Sequence, residues 1–174
     1  MLVGIYPPSD GKLKRLPVVR KVLKASSVGF SLIELLVTLA IAAIFAAVAA
    51  PSFRDFVAGQ RVKTASYDIS YTLTGVRSEA LKRNLSVVLA PSAGGWQNGW
   101  TITAGVGGTT LGQHEAFADV TIAGPAVNLT YNSSGRLASA VTPFTVSSSV
   151  SSTVSARCIN IDLSGLPTSK AGAC

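Results

Sequence analysis

The sequence has few of the side chains that metal binding and nucleophilic catalysis require. It holds one histidine, His114, in a glycine-rich stretch, and two well-separated cysteines, Cys158 and Cys174. One imidazole and two distant thiols do not give the ligand spacing of a zinc site. No Gly-x-Ser-x-Gly segment is present to carry a serine nucleophile. The sequence therefore predicts no enzyme, no metal and no other cofactor, and His114 is interpreted as a surface loop histidine without a role.

Acidic residues are also few, with eight against fifteen lysines and arginines. Residues 1–29 contain six of the basic residues and one of the acidic ones, a net charge of +5 (6 − 1), and the remainder carries +2 (9 − 7). The formal charge of +7 is therefore mostly a property of the N-terminal segment. A positively charged flank is typical of the cytoplasmic side of a membrane helix.

Charge is almost absent from residues 30–50, which are 21 residues with a single charged side chain, Glu34. At about 1.5 Å per residue, a helix of this length spans the roughly 30 Å hydrocarbon core of a bilayer. Because the basic flank precedes it, the N terminus is expected in the cytoplasm. The residues after Pro51 are expected on the far side of the membrane, in a periplasm-like compartment, so the pattern predicts a single-pass membrane protein.

The position of Glu34 inside this apolar run calls for a partner. An ionised carboxylate at bilayer depth costs about 2.5–3.5 kcal/mol. Cleavage between Gly29 and Phe30 would create an α-amine four residues before Glu34, on the same helix face. The new amine would supply the opposite charge, either within one subunit or between neighbours.

Gly29, the segment Phe30-Ser31-Leu32-Ile33-Glu34 and an apolar helix closed by Pro51 resemble the processing site of type IV pilins and type II secretion pseudopilins. The resemblance implies that prepilin peptidase cleaves after Gly29 and that the amine of Phe30 is methylated. It also implies that Glu34 aids docking into a growing filament. Pro51 lacks a backbone N–H and should kink or loosen the helix.

This resemblance implies a set of partners as well. They are prepilin peptidase, other minor pilins or pseudopilins, the major subunit, the inner-membrane assembly platform and, before assembly, membrane lipid. Residues 1–29 are then a basic leader that is removed. Because 29 residues are many for such a leader, a later start codon stays open as an alternative.

Two other interpretations of the apolar run stay open. A conventional secretory signal also has a basic region followed by an apolar one, and Ala47-Val48-Ala49 could serve as its cleavage site. A plain membrane anchor explains the length of the run, but it explains neither Gly29 nor Glu34.

The helical pattern continues beyond the apolar run. Apolar residues recur at steps of three and four, as on one face of an α-helix; they are Val62, Ala65, Ile69, Leu73, Val76 and Ala80. The pattern predicts one helix from about residue 31 to residue 83. Residues 30–52 form its membrane or filament-core half and residues 53–84 its amphipathic half.

From residue 85 onward the sequence has a β pattern. Short segments rich in β-branched residues alternate with Gly, Pro, Asn and Ser; they are residues 86–89, 99–103, 120–122, 127–131, 144–146 and 156–163. Residues 147–155, low in complexity and uncharged, are interpreted as an exposed loop or edge strand. The pattern therefore predicts an α+β fold class, with a long N-terminal helix packed on an antiparallel β domain of residues 85–174. The resemblance to pilins implies that this fold is pilin-like.

The end of the helix resembles one particular family within this class of proteins. The segment Arg77-Ser78-Glu79-Ala80, followed by Leu81-Lys82-Arg83-Asn84, is similar to the helix end of the GspH/FimT family of pseudopilins and minor pilins. The order of three later motifs extends the similarity over nearly all of residues 29–174; they are Gly99-Trp100, Tyr131-Asn132-Ser133-Ser134-Gly135-Arg136 and Arg157-Cys158-Ile159. It implies a structural subunit of a type IV pilus or a type II secretion pseudopilus, in the complex that initiates the filament and forms its tip.

The two cysteines lie in the part of the chain that is expected in the periplasm. An oxidising compartment favours a disulfide between Cys158 and Cys174. The alternative is two free thiols in a cytosolic domain, which one apolar helix with a basic flank disfavours.

DNA binding is the alternative function. Some members of the resembled family take part in DNA uptake during natural transformation, and an Arg-rich C-terminal segment is implicated. Here residues 165–174 contain only Lys170, to which Arg136 and Arg157 could be added. Because phosphate binding depends on several cations acting together, DNA is a possible partner that the sequence does not favour.

Overall fold

The computed structural model describes residues 29–174. Ala40 ends one compact unit of the chain, and Ile41–Cys174 form a second. The leader predicted for residues 1–29 lies outside the described residues except for Gly29. Among the described residues there are one α-helix, a short 3-10 helix at Trp96–Asn98 and eight β-strands.

Helix α1 runs over Leu32–Arg83, close to the predicted bounds. Ser31 caps its start, because the backbone N–H of Glu34 donates to the Ser31 Oγ at 3.2 Å. The helix stops at Asn84, whose φ of 52° is the left-handed conformation of a helix C-cap. Pro51 lies inside α1 and does not end it, and the kink at Pro51 stays a prediction.

The strands follow α1 in chain order and pair only with antiparallel neighbours. They are β1 (Val87–Pro91), β2 (Trp100–Ala104), β3 (Thr110–His114), β4 (Val120–Ala123), β5 (Leu129–Tyr131), β6 (Phe144–Ser148), β7 (Arg157–Ile161) and β8 (Pro167–Ala171). One sheet has the order β3-β2-β1-β5 and the other β4-β6-β7-β8. Two antiparallel sheets beside one long helix confirm the predicted α+β class.

The core forms between the second half of α1 and the inner faces of both sheets. All six residues of the predicted helical face are buried. Opposite them, the Trp96 ring meets the Phe144 ring edge-to-face at 4.9 Å, and Trp100 is 2% exposed at the start of β2. Burying such large aromatic rings is a dominant contribution to the stability of a small core.

Two strands were not predicted. β3 contains Gly112 and three polar residues, and β8 begins with Pro167 and is mostly exposed. Both lie at the edge of their sheets, where one hydrogen-bonding side is unpaired and a sequence does not need a buried alternating face. The predicted loop position of His114 was therefore wrong, because His114 is the last residue of β3.

The cysteines form the predicted pair. Cys158 in β7 is bonded to Cys174, and their Cα atoms are 5.0 Å apart. The N–H of Cys174 donates to Thr145 Oγ1 at 3.4 Å, so the last residues fold back across the outer face of β6 and β7. The disulfide fastens the end of the chain, beyond edge strand β8, to the sheet.

Candidate functional site

The first described residues lead into α1. Gly29, Phe30 and Ser31 precede the helix, and Phe30 is 72% exposed. Glu34 is the third helical residue, in the first turn, where a negative charge is favourable toward the helix dipole. Ser31 and Glu34 have the spacing of a capping box. The helix start therefore fixes Glu34 one turn after the predicted cleavage point.

The apolar half of α1 has no cover within the described residues. Every residue from 29 to 54 is exposed, including the large apolar side chains of Leu36, Ile44 and Phe45. α1 is the one described helix that is long and apolar enough to cross a membrane, with a mean hydropathy of 2.6 over its most apolar stretch of 18 residues. An uncovered apolar surface of this size marks a membrane or protein contact.

Side-chain hydrogen bonds to the β domain begin at Asp55. The hydroxyl of Ser151 donates to Asp55 Oδ1 at 2.7 Å, and that of Thr153 donates to Oδ2 at 2.8 Å. These hydrogen bonds, that from Ser151 first, hold the pKa of the Asp55 carboxyl below its ordinary value. The predicted loop of residues 147–155 is thus a strand end followed by a loop bound to the helix, a contact that the sequence analysis missed.

The other end of α1 is fastened through Arg77. Its Nε donates to the main-chain oxygen of Gly135 at 3.0 Å. Gly135 has a φ of 72°, in a turn where Asn132 Oδ1 accepts from the N–H groups of Ser134 and Arg136. Two sequence motifs that carry the family resemblance therefore meet in space.

The same turn approaches the second sheet through Tyr131. The hydroxyl of Tyr131, in β5, donates to the main-chain oxygen of Gly165 at 3.3 Å. Burial of the ring raises the pKa of Tyr131 to about 12. Tyr131 therefore stays neutral over the physiological range and links β5 to the turn between β7 and β8.

The three cations that were considered for DNA do not form a cluster. In the register of β7 and β8, Lys170 lies opposite Cys158, whereas Arg157 is one residue earlier on the opposite face of the sheet. The Arg157 guanidinium lies 5.9 Å from the Tyr67 ring centre, against α1. Arg136 lies instead in the turn after β5, near Asp162. Arg157 and Lys170 therefore do not lie on one face of the sheet.

His114 is half-buried between aromatic rings. Its ring stacks on Trp100 at 4.4 Å and on Phe117 at 4.6 Å. Nδ1 lies 2.7 Å from the Glu115 carbonyl, and Nε2 lies 3.8 Å from Asp68 Oδ2. No serine or cysteine nucleophile adjoins the ring in these contacts, so they are those of a packing residue.

Comparison with known proteins finds a match for two segments of the chain. Residues 29–50 match the prokaryotic N-terminal methylation motif. Residues 68–165 match the family described as type II transport protein GspH, which is 98 of 174 residues. The chain belongs to the GspH family. A search of curated proteins finds no match.

The fold of this GspH-family protein is similar to that of the type IV minor pilin FimU of Pseudomonas aeruginosa. Two crystal forms of FimU give TM-scores of 0.56 and 0.53 at 20% sequence identity. The similarity covers 64% and 62% of this chain, and 89% and 91% of the FimU chains. The pilin-like fold is therefore established, and the apolar helix segment that precedes the β domain in sequence fits a membrane-anchored pilin.

The predicted processing residues stand inside the matched motif. The motif begins at Gly29 and Phe30 and includes Glu34. It ends at residue 50, just before Pro51. The GspH match begins at Asp68 in the middle of α1. The roles predicted for these residues in cleavage, methylation and docking stay predictions.

Proposed function

We propose that this GspH-family protein is a non-enzymatic minor pilin or pseudopilin that joins the initiating tip complex of a type IV pilus or a type II secretion pseudopilus. Residues 1–29 are its leader and residues 30–52 its membrane and filament-core segment. Residues 53–84 are the amphipathic half of the helix, and residues 85–174 are the periplasmic domain. In this proposal the chain is anchored in the inner membrane before assembly, with its N terminus in the cytoplasm.

One observation carries the proposal. The uncovered apolar segment bearing the methylation motif is continuous with the helix on which the β domain is built. A protein that only had to stay in the membrane would need neither Gly29 nor Glu34 in this arrangement. A subunit that leaves lipid must exchange the lipid for protein, and a filament of like helices offers such a surface.

The chemistry of processing follows from the positions of Gly29 and Phe30. Prepilin peptidase would hydrolyse their peptide bond, and the amine of Phe30 would be methylated. The amine then lies close in sequence to the carboxylate of Glu34. In a growing filament, Glu34 would pair with the Phe30 amine of a neighbouring subunit, which removes the cost of an isolated charge in an apolar surrounding.

The proposal is tested by intact mass and N-terminal sequencing of membrane-extracted protein. A start at Phe30 with one added methyl group supports it. Gly29→Leu should leave a heavier protein that retains the leader. A start near Ala50, or an uncut wild-type chain, would contradict the proposal.

Assembly is tested separately by isolating sheared filaments or secretion complexes from cells that express the tagged chain. Recovery together with other minor pilins and the major subunit supports the tip role. Recovery in the membrane fraction alone, from cells that produce filaments, would contradict it. DNA binding is not part of the proposal, because Arg157 and Lys170 lie on opposite faces of their sheet and Arg136 lies near the acidic Asp162.

A further inference from the structure

The loop between β6 and β7 is held at a fixed point along α1. Both carboxylate oxygens of Asp55 accept hydroxyl hydrogen bonds, from Ser151 and from Thr153. Val154 lies beside the helix at Gly59, since its Cγ1 is 3.9 Å from the position that a Cβ would occupy there. The loop therefore follows the helix for about one turn.

The tip of this loop has a defined shape. The Oγ of Ser148 accepts the N–H groups of Val150 and Ser151 at 3.2 and 3.1 Å. Val150 is left 51% exposed at the tip. Together with Pro51, Arg54, Asp55 and Ser151, it lines a crevice of about 150 Å³. A valine is thus presented beside the end of the apolar helix segment.

The position of Asp55 sets the depth of the loop relative to a membrane. The apolar run ends at Ala50, and five residues of helix advance about 7.5 Å along its axis. The headgroup layer on each side of the hydrocarbon core is about 5–8 Å thick. A loop bound at Asp55 and reaching back to Pro51 therefore lies within the depth of the headgroups.

Arg54 adds the charge that such a layer attracts. It is exposed, and none of the ion pairs among residues 29–174 includes it. Asp55, its neighbour in sequence, is engaged by the two hydroxyl groups. A guanidinium binds phosphate well, and cationic residues beside a membrane helix favour anionic lipid.

We propose that the Val150 loop tip and Arg54 form a contact surface for phospholipid headgroups. This contact seats the β domain against the membrane before assembly and is released when the helix leaves the lipid. The inference rests on the membrane anchoring in the proposed function. It adds a second contact with the membrane, made by the periplasmic domain, and a residue, Asp55, that holds the loop in place.

The chain offers a matched control for Val150. Val106 is 92% exposed and lies in the turn between β2 and β3. The N–H of Gly105 donates to the carbonyl of Ser86 at 2.8 Å, which holds this turn beside the C-terminal end of α1. Phe45, exposed within the apolar run, serves as the reference for insertion of the helix.

The experiment uses the full processed chain in vesicles of phosphatidylcholine and phosphatidylglycerol. Val150→Cys, Val106→Cys and Phe45→Cys are each labelled with an environment-sensitive fluorophore without reduction, so that the native disulfide stays closed. Spin labels on the headgroup or deep on the acyl chain then report where each fluorophore lies. Thermal unfolding of each variant confirms that the domain is folded.

The expected result is a blue-shifted emission at position 150 that the headgroup quencher lowers more than the acyl-chain quencher does. Position 45 should be quenched most by the acyl-chain label, and position 106 by neither. Adding Asp55→Ala should return position 150 to the level of position 106 and leave position 45 unchanged. Adding Arg54→Gln should reduce headgroup quenching at position 150.

The inference and the proposed anchoring fail in different ways. Position 150 in water with position 45 in lipid would overturn the headgroup contact and leave the anchoring intact. Position 45 in water in processed, membrane-extracted protein would overturn the anchoring itself. Unchanged quenching at position 150 after Asp55→Ala would overturn the part assigned to Asp55.

Discussion

The Nε of Arg77, near the end of α1, donates to the carbonyl oxygen of Gly135 at 3.0 Å. This contact joins the helix to the turn after β5 across 58 residues of sequence. It gives a structural reason for two motifs that otherwise only resemble those of relatives. The arginine of the helix end holds the turn, and the glycine presents its carbonyl.

Arg77→Met should destabilise the domain, because the Gly135 carbonyl loses a charged hydrogen-bond donor. The expected loss is about 1–2 kcal/mol in the free energy of unfolding. Thermal unfolding of the detergent-solubilised chain, followed by the fluorescence of buried Trp96 and Trp100, measures it. Arg83→Met is the control, since the one ion pair of Arg83 among residues 29–174 is with half-buried Glu79, one turn earlier in the same helix. Equal losses in both variants would contradict this role of Arg77.

Asp55 makes a pH-dependent contribution to stability. Its pKa in the folded state is lowered, so the carboxylate stabilises the fold above the ordinary aspartate pKa, and this contribution is lost as the pH falls through the folded-state value. The difference in melting temperature between the wild type and Asp55→Ala should therefore be present at pH 7 and shrink below about pH 4. A difference that does not change with pH would contradict the prediction.

Tyr131 acts at the other end of the pH scale. Its pKa is raised to about 12, so the unfolded chain ionises first as the pH rises above about 10. The free energy of unfolding should therefore fall between about pH 10 and pH 12, by about 3 kcal/mol at most. Tyr131→Phe removes the ionisable group and should unfold with a flatter dependence on pH in this range. Parallel pH profiles for the two proteins would refute this.

The disulfide stabilises the end of the β domain. Its cysteines are separated by 16 residues, and closing a loop of about that length contributes about 3 kcal/mol on the chain-entropy account. Cys158→Ala/Cys174→Ala should lower the melting temperature. A thiol-reactive mass label should add nothing to the unfolded, unreduced wild type. Two added labels would show that the cysteines are free.

Glu34 should matter for assembly and not for folding. It is exposed in the first turn of α1, so Glu34→Ala should leave the melting temperature of the β domain unchanged while recovery in filaments falls. Thr38→Ala, one turn later on the same exposed face, is the control and should assemble normally. Normal incorporation of Glu34→Ala would rule out the docking role.

Local patterns predicted most of the fold. The core face of α1 follows from apolar residues at steps of three and four, and six strands follow from β-branched segments between turn residues. β3 and β8 were missed because edge strands need no buried alternating face. Their positions depend on pairing with β2 and β7, which the mostly polar residues of β3 and β8 do not themselves indicate.

The residues of the candidate site also fall into two groups, those that local patterns indicate and those that they do not. Gly29, Phe30 and Glu34 are recognised by their spacing along a few residues. Asp55 binds Ser151 and Thr153 across 96 and 98 residues of sequence, so no pattern in the helix or the loop indicates the contact. Likewise, the separation of Arg157 from Lys170 follows from the register of two strands, one of which was not predicted.

The cap at Ser31 has a consequence for proteolysis. Because α1 begins at Leu32, the bond between Gly29 and Phe30 lies in non-helical backbone. A peptidase that cuts this bond needs an accessible chain and does not have to unwind any helical turn to reach it. The cap thus leaves the predicted cleavage bond open to proteolysis, whereas helical hydrogen bonds protect the backbone from Leu32 onward, two residues after Phe30.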